Sequence, residues 1–208
     1  MRLVFASNNA HKLDEVRRIL PAGIEVLSLS DIGFEAEIEE TGTTLEQNSR
    51  IKAATVAAFI NDGMMNGDAA LNGGSIDGVF ADDTGLEIDA LGGQPGVYTA
   101  RWAGEPAANR KKALAELKGI TDRGAQFRTV ITLIKFSAIS DQYSETQVSG
   151  VVRGRIAEEE YGQGGFGYDP VFIPEGYDKT FGELPAEVKN SISHRSRALA
   201  ALVKALNC

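Results

Sequence analysis

Residues 2–29 read RLVFASNNAHKLDEVRRILPAGIEVLSL, and this stretch decides the fold class. Residues 2–7, RLVFAS, form a short continuously apolar run, the pattern of a strand buried on both faces. In HKLDEVRRIL (11–20), Leu13, Val16, Ile19 and Leu20 recur on one helical face, and Pro21 stops the pattern. EVLSL (25–29) is a second strand. Strand, helix, strand at this spacing predicts an α/β sheet.

Outward from that unit, TTLEQNSRIKAATVAAFI (43–60) predicts a long helix. Thr43 or Thr44 caps it, with Glu46 or Gln47 three residues on. Residues 61–78, rich in Gly, Asn and Asp, read as a surface insertion with little structure of its own. VFADDT (79–84) is a strand that ends on two aspartates, with a bend expected at Gly85. A basic amphipathic helix is expected over 107–120. Strands over 125–139 and 143–156 are expected to pair antiparallel. A glycine loop over 162–174 leads into an apolar strand, and a helix over 186–206 starts on Ser191 or Ser193 as cap. The sum is a mixed β-sheet wrapped by helices, built as two lobes. No internal repeat is visible.

Composition narrows the functional classes. The 208 residues carry a net charge of −8, which disfavours nonspecific binding to nucleic acid or anionic membranes. No apolar run approaches the roughly 20 residues of a membrane span. The apolar N-terminal run turns polar too soon for a secretory signal. The single cysteine, Cys208, excludes an intrachain disulfide framework. A cytoplasmic location is the expectation.

Five clusters carry chemistry. SNNAHK (7–12) joins the first strand to the first helix, where backbone N–H groups favour an anion and Ser7, Asn9 and Lys12 add donors and charge. Taken alone it is an ordinary capped helix start, and it matches neither common glycine-rich nucleotide fingerprint. EAEIEETGTT (35–44) is an acidic run in which Glu40 precedes a Thr-Gly pair, as Asp83 does. Two such carboxylates suit one hard cation such as Mg²⁺. Asp82 and Asp83 are neighbours on a strand, so they face opposite sides and do different jobs. GGFGYDP (164–170) is either a tight loop with Phe166 and Tyr168 in the core, or a loop whose aromatic ring stacks on a base. KNSISHRSR (189–197) gathers Lys189, His194, Arg195 and Arg197 at a helix start.

Taken in order, SNNAHK, EETG, ADDTGL, LGGQPGVYTAR, GGFGYDP and SISHR closely resemble the inosine triphosphate pyrophosphatase, or Ham1-like, family, from about Leu3 to Leu206. The resemblance implies an ITPase/Maf-like fold, a single domain over 1–208 with an elongated mixed β-sheet flanked by helices and two lobes with a central cleft, and hydrolysis of dITP, ITP and XTP to the monophosphate and pyrophosphate with Mg²⁺, usually by a homodimer. It implies that Ser7, Asn8, Asn9, Ala10, His11 and Lys12 form the triphosphate loop. Glu40 and Asp83 would hold the metal, Asp83 would also accept the proton, and Thr84 would touch the substrate. Phe166, Gly167, Tyr168, Asp169, Lys189, His194 and Arg195 would bind the base. Three features depart from the family pattern: the length of 61–78, EQNS (46–49) where Glu-Asn-Ala is frequent, and His11 where glycine is frequent.

Three other readings compete. A Maf-type nucleotide pyrophosphatase would act on pyrimidine or modified nucleotides but lacks the FGYD and SHR pair. A haloacid-dehalogenase phosphatase needs aspartates two apart, whereas Asp82 and Asp83 are adjacent. A nucleotide sensor without turnover would not need both Glu40 and Asp83.

Overall fold

The computed structural model describes residues 1–66, 75–137 and 143–206, with side chains omitted for 64–66. Strand β1 (Arg2–Phe5), helix α1 (Ala10–Ile19) and strand β2 (Glu25–Leu27) form the expected opening unit. They are followed by α2 (Leu45–Asn66), β3 (Gly78–Ile88), β4 (Pro95–Gly96), α3 (Pro106–Glu116), β5 (Gly124–Phe136), β6 (Tyr143–Ile156), β7 (Phe172–Pro174), α4 (Ala186–Ile192) and α5 (His194–Leu206). The sheet order is β2-β1-β3-β5-β6-β7, with β4 paired to β3. β1 pairs parallel with β2 and β3, whereas β3–β4 and β6–β7 are antiparallel. The sheet is therefore mixed and flanked by helices, as expected.

The chain divides into two compact units. One comprises Met1–Asp83, Val130–Val148 and Leu199–Cys208; the other comprises Thr84–Thr129 and Ser149–Ala198. The core of the first unit takes Val4 of β1, Ala6 just beyond it, and Val79 and Ala81 of β3, and packs them on Ala53, Val56, Ala57 and Ile60 of α2. Phe5 and Phe80, register partners, turn to the opposite face and stack at 5.0 Å. Each of these fully buried rings contributes about 1.5–3 kcal/mol. In the second unit Leu86, Ile88, Phe127, Val152, Ile156, Phe172 and Phe181 form the core.

Four expectations change. β3 does not end on Asp82-Asp83: it runs on to Ile88, and Leu86 and Glu87 pair with Gly96 and Pro95. Gly85 lies inside the strand, and the glycines with positive φ do not include it. Turn-forming residues are here overridden by a tertiary partner. α2 continues to Asn66 rather than stopping at residue 60, while 67–74 of the expected insertion lie outside the described residues. The C-terminal helix is two helices, broken at Ser193, whose extended backbone ends α4. Ser193 then caps α5, its Oγ accepting from the Ser196 amide at 3.2 Å.

Candidate active site

The first unit holds the acidic and phosphate-loop residues. Period-two alternation along β3 puts Asp82 on the face of Phe80, and Asp83 on the face of Val79 and Ala81. Each meets a lysine from a different helix. Lys12 Nζ of α1 donates to Asp82 Oδ1 at 2.9 Å, and Lys52 Nζ of α2 lies 3.5 Å from Asp83 Oδ1. Lys52 also donates to Glu40 Oε1 at 2.7 Å. One ammonium thus touches both carboxylates that the sequence singles out.

Glu40 is presented by an irregular segment whose other acids, Glu35, Glu37 and Glu39, are exposed, whereas Glu40 is half-buried. The segment closes onto α2 at Gly42, whose amide donates to Asn48 Oδ1 at 2.8 Å. A Cβ at Gly42 would stand 2.6 Å from that oxygen, so a larger residue would push the segment away. The cap forms as expected on Thr44, whose Oγ1 accepts from the Gln47 amide at 3.2 Å, while Gln47 Oε1 accepts from the Thr43 amide at 2.7 Å. Ser49, part of the departure at 46–49, is satisfied in the core by Thr132 at 2.7 Å.

Burial pushes the Asp83 carboxyl above the ordinary aspartate value. Lys52 and Lys12 oppose that shift, and the Glu40 and Asp82 charges reinforce it. For Lys52, burial acts to lower the pKa, but Asp83, Asp82 and Glu40 outweigh it and hold the ammonium above its ordinary value. The result is a buried base beside a firmly charged cation.

At the start of α1, Asn9 is the cap, its Oδ1 accepting from the Lys12 amide at 3.1 Å, and Ser7 Oγ accepts from the Asn9 amide at 3.3 Å. Asn8, Asn9, Ala10 and His11 are exposed. Their amides and the helix start can meet an anion.

The second unit holds the rest. Thr84 shares a hydroxyl hydrogen bond with Thr129 at 2.7 Å. Asp169 Oδ2 accepts from the Phe166 amide and from Lys189 Nζ, both at 2.7 Å. The Lys189 ammonium lies 4.7 Å from the Phe166 ring centre, and the Arg195 guanidinium 5.7 Å. Arg195 is only 1% exposed. His194 is buried and stacks on Phe127 at 4.7 Å. Asp169, Lys189 and Arg195 gather around Phe166, whereas His194 rests on Phe127 and Thr84 on Thr129.

Tyr168 departs from the expected group. Its side chain is part of the core, and its hydroxyl donates to Thr99 O at 3.1 Å. Burial pushes its phenol well above the ordinary range.

Lys52 and Arg110 escape a motif reading. Lys52 was legible in one respect: it lies on the line Asn48, Lys52, Val56, Ile60, spaced by four, and all four are buried.

The chain also matches known proteins along its length. The model of the Ham1 family matches residues 3–205. A protein of Flavobacterium johnsoniae named dITP/XTP pyrophosphatase is 45% identical, with 99% of this chain and 98% of that one covered. One of Bacillus subtilis with the same name is 47% identical, with 98% and 96% covered. The structure of the Staphylococcus aureus Ham1 protein superposes with a TM-score of 0.80 at 38% identity, covering 100% of this chain and 98% of that one. Motifs in the expected order, the mixed sheet and full-length matches agree: the chain belongs to the Ham1 family.

Proposed function

We propose that this protein is a nucleoside-triphosphate pyrophosphatase that hydrolyses dITP, ITP and XTP to the monophosphate and pyrophosphate, removing deaminated purines from the nucleotide pool. The observation that carries this reading is the convergence of Glu40 and Asp83 on one cation, Lys52. Full-length relatives named dITP/XTP pyrophosphatase support the substrate class.

The carboxylate pair fits Mg²⁺, a hard cation that takes oxygen ligands and is often held by one or two carboxylates plus substrate phosphates. Glu40 and Asp83 would hold it. When bound, it neutralises phosphate charge and makes an attacking water more acidic.

Asp83 is the carboxylate that would accept the proton of that water. Lys52 fixes both carboxylates in orientation. Asp82 holds Lys12 beside the start of α1, where Ser7, Asn8, Asn9, Ala10, His11 and Lys12 receive the triphosphate. In the second unit, Phe166 offers a ring to stack on the base, with Lys189, His194 and Arg195 as donors toward a 6-oxo group. Gly167 and Asp169 shape that loop, Tyr168 anchors it through the core, and Thr84 contacts the nucleotide. A 6-amino purine would leave buried donors unpaired, which discriminates strongly. We propose further that the enzyme is a cytoplasmic homodimer, on the family resemblance. Among the described residues no helix is long and apolar enough to cross a membrane.

A panel of dITP, ITP, XTP, dATP and dGTP, read for pyrophosphate and phosphate separately, tests the function. Pyrophosphate from the first three at far higher kcat/KM than from dATP is expected. Phosphate release, pyrimidine preference or no turnover would overturn it.

A further inference from the structure

Helix α3 reaches the glycine loop through a side chain that no motif marks. Arg110 Nη1 donates to Gly167 O at 2.9 Å, and Arg110 Nε lies 2.9 Å from Glu160 Oε2. The arginine side chain is 17% exposed, so this contact is largely shielded from water. Gly167 has φ 61°, the left-handed region that other residues enter only with strain. Its carbonyl therefore points in a direction that a glycine allows and a guanidinium holds.

The four residues of the loop are each fixed by a different group. The Phe166 amide is held by Asp169, the Gly167 carbonyl by Arg110, the Tyr168 hydroxyl by Thr99, and the Asp169 carboxylate by Lys189. α3 itself is fastened to the segment on which Tyr168 rests. Asn109 Nδ2 donates to Ala100 O at 3.0 Å and to Thr99 O at 3.4 Å, and Asn109 Oδ1 accepts from the Ala103 amide at 2.5 Å. Asn109 is buried, so Arg110 projects from a helix turn that cannot easily drift.

We propose that Arg110 is a positioning residue for base recognition. It holds the Gly167 peptide so that the Phe166 ring keeps its place against Lys189 and Arg195. It thereby sets KM and base selectivity and leaves the chemical step alone. This rests on the reading of 166–169 as the base-binding loop. Arg110 reaches Gly167 and Glu160, and its effect on the loop passes through one carbonyl.

The test is Arg110→Met, which keeps an apolar stem and removes the charged donor, with Arg110→Lys as the conservative variant. For dITP, KM is expected to rise roughly tenfold in Arg110→Met with kcat within about twofold, because positioning for binding is lost and the chemistry is not. Selectivity for dITP over dATP should fall, and Arg110→Lys should restore much of both. Independently of activity, hydrogen exchange over 165–169 should quicken by at least about tenfold while β1 is unchanged. Glu160→Gln, which loosens the arginine without touching Gly167, should move KM the same way by less. An Arg110→Met enzyme with wild-type KM and selectivity, whatever its melting temperature, would overturn the proposal, as would unchanged exchange in the loop. No pyrophosphate release by the wild-type protein would instead overturn the function, and the exchange measurement would still report whether Arg110 orders the loop.

Discussion

Lys52 donates to Glu40 at 2.7 Å while the same ammonium lies 3.5 Å from Asp83. Two carboxylates from separate parts of the chain are thus balanced by a cation from α2. Like charges brought so close would repel, and burial raises the cost. Lys52 offsets both, and its own charge is secured by them.

Removing that charge should be costly. Lys52→Met in metal-free buffer is expected to lower stability by roughly 2–4 kcal/mol, the range for breaking a buried pair, reduced because Glu40 is partly exposed. Millimolar Mg²⁺ should recover more melting temperature in the variant than in the wild type, since a cation then serves both carboxylates. Equal melting of the two proteins with and without Mg²⁺ would show that Lys52 does not balance the pair.

Phe166 is half-buried, with cations against its ring and core residues elsewhere. As a stacking platform it should contribute about 1–3 kcal/mol to base binding. Phe166→Ala should then raise KM for dITP far more than it lowers the melting temperature. A large loss of stability with unchanged KM would make Phe166 a packing residue.

Asp31 gives a pH signature remote from the site. Its carboxylate accepts from the Ser28 amide at 2.7 Å, and Ser28 Oγ accepts from the Asp31 amide at 3.1 Å. The Ser28 amide first, then its hydroxyl and Arg17, hold the Asp31 carboxyl below its ordinary value despite slight burial. A lowered folded pKa gives stability that is present above the unfolded value and lost as pH falls through the folded one. Asp31→Asn should therefore melt lower than wild type near neutral pH, and the gap should close as pH falls below the ordinary aspartate range. The gap is expected to be small, because the side chain is 46% exposed. A gap that does not change with pH would contradict the assignment.

Much of this was written in local pattern. β6 spans the expected residues 143–156, and β1, α1 and β2 appear in order, because alternation and helical spacing report burial directly. The opposite faces of Asp82 and Asp83 followed from strand geometry alone, and their separate lysines bear it out. What failed depended on partners far along the chain. Asp-Asp-Thr-Gly has turn chemistry, but it lies inside β3, a strand set between β1 and β5 in the sheet, and stays extended there. For Tyr168 the sequence allows either core or base loop, and the fold puts its ring in the core and its hydroxyl on Thr99. Arg110 looks like one more charge on a basic helix, and only the fold brings Gly167 O to it.

We propose that Asp83, and not its neighbour, is the base and metal ligand, while Asp82 secures Lys12. Asp83→Asn keeps shape and volume but removes charge and basicity. At saturating Mg²⁺ and dITP, pyrophosphate release by Asp83→Asn is expected to fall by roughly 10²–10⁴-fold or more with the fold intact. Asp82, 1% exposed and paired with Lys12, should cost Asp82→Asn some stability and a smaller part of its turnover. Turnover of both variants beside their melting curves is the direct measurement. Near wild-type release from Asp83→Asn with none from a folded Asp82→Asn would contradict this and show that Asp82 is the base.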